Sequence, residues 1–179
     1  MKIDSSETPL EPLVERARKG DESALSELVD RYQGRLYRFC FYLSGNPTVA
    51  EDLCQDTFVR VFTSLGKLKD PAKFHSWLFQ ISKNLFWDRL RSSGKTETLL
   101  EEPSAASDSP EVHLQITRTL ARMDPQDRLV LLLVDLQGHS YREAAEILEI
   151  SVEAVTSRIY RARQLFVEAY DRDERKDDL

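Results

Sequence analysis

A stretch of seventeen residues in mid-chain, TETLLEEPSAASDSPEV (96–112), constrains the architecture most. It holds two prolines, five Ser/Thr and five acids with little helical periodicity, and it reads as a flexible acidic linker. About 95 residues precede it and about 67 follow, so neither half can build a large core and each must fold as a small unit. Glycine (6) and proline (7) are sparse while Leu, Glu, Ala and Arg are plentiful, which favours helix over sheet. The expected fold is all-α: a helical domain over 1–95, the linker over 96–112, and a second helical domain over 113–179.

Apolar spacing and capping residues locate the helices. Leu10, Leu13, Val14 and Ala17 recur at helical intervals and stop at Gly20. Asp21 can cap the next helix, whose apolar face is Ala24, Leu25, Leu28, Val29 and Tyr32. Leu36, Tyr37, Phe39, Cys40 and Leu43 predict a further, strongly apolar helix ending at Ser44-Gly45-Asn46-Pro47. Thr48 and Glu51 have capping-box spacing for a helix to about Leu65, and another runs from about Phe74 to Arg91. Past the linker, helices are expected over Val112–Arg122 and Pro125–Leu136.

The tail carries the most specific pattern. Ser140 and Glu143 form a capping box that opens YREAAEIL, with Ala144, Ala145, Ile147 and Leu148 inside. After a short turn containing Ile150, Ser151 can cap a second helix that buries Val152, Val155, Ile159 and Ala162. Two capped helices across a turn this short make a helix-turn-helix. Thr156, Ser157, Tyr160, Arg161 and Gln164 lie on its outer face with Arg158 and Arg163 beside them, side chains suited to phosphates and base edges.

Net charge is −6, from 25 basic and 31 acidic residues, yet the charge is uneven. Residues 67–95 carry 7 basic and 2 acidic residues, and 155–170 carry 3 and 1. A polyanion meets the local field, so the acidic total does not exclude DNA. The first basic island interleaves its cations with Phe74, Trp77, Phe79, Phe86 and Trp87. Phe74, Leu78, Ile81 and Leu85 form the expected buried stripe there, while Gln80, Lys83, Asn84, Trp87 and Arg91 share another face. Rings beside cations suit a single strand, because bases stack while cations hold the backbone. On the preceding helix, Val49, Leu53, Phe58, Val61 and Phe62 serve the core. Asp52, Gln55, Asp56 and Val59 make an acidic stripe with an apolar residue on it, suited to a protein partner.

Other functions find little footing. No apolar run is long enough to span a membrane, and MKIDSSETPLEP has no apolar signal core, so a cytoplasmic protein without stable membrane insertion is expected. Cys40 and Cys54 read as small buried hydrophobes. His75, His113 and His139 are scattered, and no metal-spaced cluster, phosphate loop or nucleophile elbow is present. No catalytic residue, metal or cofactor is expected.

Four segments in order resemble the small, two-region sigma factors of bacterial RNA polymerase, the extracytoplasmic-function group. AEDLCQDTFVRVF (50–62) is similar to the family's polymerase-clamp helix, and HSWLFQISKNLFWDRLR (75–91) to the helix after its promoter-melting loop. MDPQDRLVLLLVDLQGHSY (123–141) resembles its flap-contacting segment, and SYREAAEILEISVEAVTSRIYRAR (140–163) its helix-turn-helix. The resemblance implies that Asp52, Gln55 and Asp56 contact core polymerase. It implies a minus-ten site in the loop 66–73, with Lys67, Lys69 and Lys73, and on the following helix at Lys83, Asn84, Trp87 and Arg91. Thr156, Ser157, Arg158, Tyr160, Arg161 and Arg163 would face the minus-thirty-five element. It also implies an anti-sigma factor as a partner.

The chain departs from the family in three places. Glu149 stands in the turn where glycine is common, a strained choice if that residue is left-handed. Glu153-Ala154 and Thr156 replace the usual Gly-Thr and basic residue, which removes a cation and adds an anion near the groove. The loop GKLKDPAKF is rich in lysine and carries Asp70-Pro71, so its base preference does not transfer. Two other readings stay open on sequence: a stand-alone helix-turn-helix regulator, which would dimerise on paired half-sites, and a sigma-like polymerase adaptor that melts no promoter.

Overall fold

The computed structural model describes residues 9–93 and 110–177. Most of the expected linker lies outside the described residues, but its last part does not, since helix already begins at Pro110. Helix α1 (Leu10–Arg18) buries Leu13, Val14 and Ala17 and ends in a turn through Gly20, whose φ is +84°. Asp21 then caps α2 (Glu22–Ser44), accepting from the backbone N–H groups of Ser23 and Ala24 at 3.0 and 3.1 Å.

Helix α2 corrects one expectation. The two helices read over 24–32 and 36–43 are a single helix of 23 residues. No cap or proline interrupts it, Leu28, Tyr32, Leu36, Phe39 and Leu43 continue one buried stripe, and Gly34 only lowers helix propensity. A second correction follows at α3 (Pro47–Ser64), which is capped by Asn46, whose Oδ1 accepts from Val49 N–H at 3.0 Å, and not by Thr48. Pro47 explains it: lacking an N–H and suited to the first helical position, it makes the preceding residue the cap. Two 3-10 turns (Leu65–Lys67 and Pro71–Lys73) lead into α4 (Phe74–Ser93). Edge-on pairs join these helices, Tyr32–Phe74 at 5.3 Å and Phe39–Phe79 at 5.0 Å.

The second half holds α5 (Pro110–Arg122), α6 (Pro125–Leu131), α7 (Tyr141–Leu148) and α8 (Val152–Asp177). The helix expected to Leu136 changes to π geometry over Leu132–Leu136, where Gln137 N–H reaches back to Leu132 O at 3.0 Å. Val152, expected inside, is 40% exposed at the start of α8, while Val155, Ile159 and Ala162 are buried as expected. Cys40 is buried and Cys54 half-buried, and burial raises their thiols to about 12 and about 11, so both stay protonated at neutral pH.

The halves pack against one another. Five consecutive residues, Phe39–Leu43, are buried, so the end of α2 is apolar all round and must be covered on its far side too. The second half supplies that cover. Arg128, 2% exposed, donates to Leu43 O at 2.6 Å, to Ala121 O at 2.8 Å and to Met123 O at 3.1 Å. Its cation thus satisfies carbonyls at the C-terminal ends of α2 and α5. Arg35 donates to Gln137 O at 3.0 Å, and Gln137 Nε2 returns a bond to Arg35 O at 3.3 Å. His75 of α4 lies 4.4 Å, centroid to centroid, from His139, which is 3% exposed.

Arg128→Met should remove all three bonds and leave buried carbonyls bare, costing about 2–4 kcal/mol. Calorimetry should find the thermal midpoint lowered by about 5–10 °C; a drop under about 2 °C would show that the guanidinium is not the pin. The histidine pair adds a pH dependence. Burial lowers both imidazoles from 6.5 to about 4, with Arg35 nearby acting in the same direction and Glu143 against it. Unfolded imidazoles take protons below about 6.5 that the folded pair refuses, so this stability is present above that pH and lost as pH falls toward 4. Midpoints measured between pH 7 and 4.5 should therefore fall, and fall less in His139→Phe. Equal slopes in both proteins would contradict the assignment.

Candidate nucleic-acid and polymerase interfaces

Helix α3 divides cleanly. Leu53, Thr57 and Val61 are buried, with the Thr57 hydroxyl returned to Leu53 O at 2.6 Å. Asp52, Gln55, Asp56 and Val59 fall at i, i+3, i+4 and i+7, and all are exposed, Val59 at 62%. Arg89 Nη2 of α4 donates to Asp52 Oδ2 at 2.7 Å, which steadies one edge of the stripe and partly neutralises it. An exposed acidic face around one apolar side chain suits a basic, partly apolar protein partner.

The expected minus-ten residues are only partly exposed. Lys67 and Lys69 project from the loop, which buried Leu68 anchors. Lys73 is exposed but paired with Glu146 of α7 at 3.0 Å. On α4 the buried residues are Phe74, Leu78, Phe79, Ser82, Lys83 and Phe86. Ile81 and Leu85, expected in that stripe, are half-buried instead and line a cleft of about 700 Å³ between the halves. Lys83, Asn84, Trp87 and Arg91 line the same cleft, facing Glu149, Ile150 and Arg158. Asn84 is exposed, Trp87 half-buried, and Arg91 is paired with Asp88. Lys83 was expected on an open polar face and is 6% exposed, with Nζ donating to Ile147 O at 2.7 Å and to Glu149 Oε1 at 3.1 Å.

The helix-turn-helix is built as its caps predict. Ser140 Oγ accepts from Glu143 N–H at 3.2 Å, and the Glu143 carboxylate accepts from Ser140 N–H at 2.8 Å. The Ser140 hydroxyl, donating to Glu143 Oε2 at 2.7 Å, and then the Ser140 N–H hold the Glu143 carboxyl below its usual range. Ser151 Oγ accepts from Ala154 N–H at 3.1 Å at the start of α8. Between the helices Glu149 is left-handed, with φ 59° and ψ 41°, the conformation in which a glycine is ordinarily found.

On α8, Glu153, Ser157, Tyr160 and Gln164 recur along the outer face, Thr156 borders it, and Tyr160 is 66% exposed. Arg161 and Arg163 are tethered. Arg161 Nη2 donates to Asp127 Oδ1 at 2.6 Å, and Arg163 binds Asp135 with two bonds of 3.0 and 2.6 Å. Both pairs raise the arginine pKa through these bonds and brace α8 against α6 and the π turn. Arg158 faces the cleft. Sequence spacing singled out neither Asp127, Asp135 nor Arg128, because their partners lie far away in the chain. Among the described residues no three His, Cys, Asp or Glu side chains cluster as for a metal, and no helix is long and apolar enough to cross a membrane.

Comparison with known proteins agrees with this layout. Residues 28–96 match the family model for sigma-70 region 2, and residues 113–166 that for sigma-70 region 4. The chain is 36% identical over 160 residues to the ECF RNA polymerase sigma factor SigE of Mycolicibacterium smegmatis, covering 81% of this chain and 62% of that longer relative. It is 30% identical over 170 residues to the ECF RNA polymerase sigma factor SigW of Bacillus subtilis, covering 84% of this chain and 91% of SigW. Its fold is shared with the sigma factor RpoE from Bartonella quintana, solved in complex with the anti-sigma factor NepR. The TM-score is 0.72 and the identity 24%, with 82% of this chain and 96% of that one covered. With both sigma regions in order on one helical chain, the protein belongs to the extracytoplasmic-function sigma factors, which direct bacterial RNA polymerase to promoters.

Proposed function

We propose that the chain divides this task among three surfaces. Residues 1–95 form the unit that binds core polymerase and the minus-ten element; the linker, expected over 96–112, stops where α5 begins at Pro110, and the unit from there to 179 reads the minus-thirty-five element. Asp52, Gln55 and Asp56, with Val59 among them, dock on polymerase. Lys67, Lys69, Lys73, Lys83, Asn84, Trp87 and Arg91 hold the melted minus-ten strand. Thr156, Ser157, Arg158, Tyr160, Arg161 and Arg163 meet the upstream element. The observation that carries the reading is an exposed acidic face on α3, beside a cation-and-aromatic face on α4, in a chain that also holds a doubly capped helix-turn-helix. A stand-alone regulator has no use for the first two.

Division of labour follows from charge and shape. Unstacking and flipping a base cost a few kcal/mol, which docking on polymerase and strand contacts jointly offset. On α8 the free hydroxyls and ring of Ser157 and Tyr160 make base or backbone contacts, while Arg161 and Arg163 act through phosphates and through their bracing of the helix. The chain performs no catalysis itself and acts in the cytoplasm, where polymerase does the chemistry. An anti-sigma factor controls it, a reading supported by the Bartonella relative, which was solved with one bound.

Asp52→Ala combined with Gln55→Ala should weaken core polymerase binding at least about tenfold, measured by fluorescence titration, because few side chains carry most of an interface. Unchanged binding would move the docking face elsewhere. Ser157→Ala with Tyr160→Ala should reduce transcription chiefly from promoters that depend on the upstream element. Equal loss at every promoter would remove those residues from readout.

A further inference from the structure

The cleft of about 700 Å³ is lined by six charged side chains, Arg60, Lys83, Arg91 and Arg158 against Asp88 and Glu149. Four of them cancel, because Lys83 is bound to Glu149 at 3.1 Å and Arg91 to Asp88. Arg60 on α3 and Arg158 on α8 remain, and among the described residues neither has a carboxylate partner. The cleft thus keeps two uncompensated cations in a chain whose net charge is −6. Arg158 is also half-buried, where a guanidinium without a counter-ion is costly. Arg60 belongs to none of the three surfaces proposed above. Such a pair calls for an anion, and the planar fork of arginine suits phosphate.

The rest of the lining narrows the choice. Ile81, Leu85, Leu129, Leu148 and Ile150 make apolar walls, and the half-buried indole of Trp87 lies among them. A bare phosphate would leave these walls and the ring unused, and an apolar ligand would leave both guanidinia unanswered. Asn84 and Gln126 add exposed amides that can donate to and accept from the edge of a base. The volume falls within the range of about 300–1,000 Å³ usual for small-molecule sites, and it suits one nucleotide and not a run of them. We propose that this cleft binds a free purine nucleotide with two phosphoryl groups, its base stacked on Trp87 and its phosphates held by Arg60 and Arg158. An indole accepts any base face, and the larger purine covers more of it. Two guanidinia on separate helices ask for two anionic groups, so a monophosphate fills the site incompletely.

The full chain should be titrated with ADP, GDP, adenosine, pyrophosphate and dT12 by calorimetry and by tryptophan fluorescence. ADP and GDP should bind once per chain and quench the fluorescence, whereas adenosine and pyrophosphate should bind at least about tenfold more weakly. Trp87→Phe should remove the quenching, since Trp77 is the only other indole in the chain. Arg60→Ala and Arg158→Ala should each weaken ADP at least about fivefold, while Lys19→Ala, an exposed cation outside the cleft, should leave it unchanged. Arg60 is exposed, so its variant keeps the fold even if loss of the half-buried Arg158 does not. No binding of either nucleotide at about 1 mM would overturn the site. So would pyrophosphate binding as tightly as ADP, or equal losses in the arginine and Lys19 variants. Quenching of Trp87 by dT12 but by no free nucleotide would make the cleft a strand site and overturn it too.

Discussion

One buried cation organises the molecule. Arg128 belongs to the second half but completes the first, because its guanidinium donates to Leu43 O at the end of α2 and simultaneously to the carbonyls that close α5. A charge at 2% exposure is costly unless its N–H groups are matched; here both terminal nitrogens donate while Nε has no partner, and burial lowers its pKa to about 10. Around this pin the apolar end of α2, the reciprocal Arg35–Gln137 bonds and the His75–His139 pair bring the halves into contact. The positions of α4 against α7, and so of Lys83 against Glu149, follow from it.

That packing changes what the charge distribution means. An acidic protein can bind DNA through basic islands, but here much of the islands' charge is already paired. Lys73 and Lys83 meet Glu146 and Glu149, while Arg161 and Arg163 meet Asp127 and Asp135. The pairs differ in kind. Those on α8 lie within one half and brace that helix against α6 and the π turn. Those between α4 and α7 cross the halves and depend on closure.

Local features were legible in the sequence and distant ones were not. The Asp21 and Ser151 caps and the Ser140–Glu143 box could be read because cap and capped group lie within a few residues. The stripe Asp52, Gln55, Asp56 and Val59 could be read because helical period alone places it outside. Lys83 misled for the same reason: its period puts it on a polar face, and only the second half, 64 residues away at Ile147, buries it. Ile81 and Leu85 have the period of a core stripe in their own half and instead face the cleft. One signal was missed. The unbroken apolar run Phe39–Leu43 demanded cover on two sides. Pairings such as Arg163–Asp135 left no such trace, since an Asp and an Arg 28 positions apart have no periodic relation.

The most direct test adds the purified chain to bacterial core RNA polymerase on genomic DNA and maps the transcript starts. The account predicts discrete starts, absent with core alone, that share two upstream elements at constant spacing, one for each half of the chain. A chain that binds no polymerase yet footprints paired half-sites by itself would contradict it.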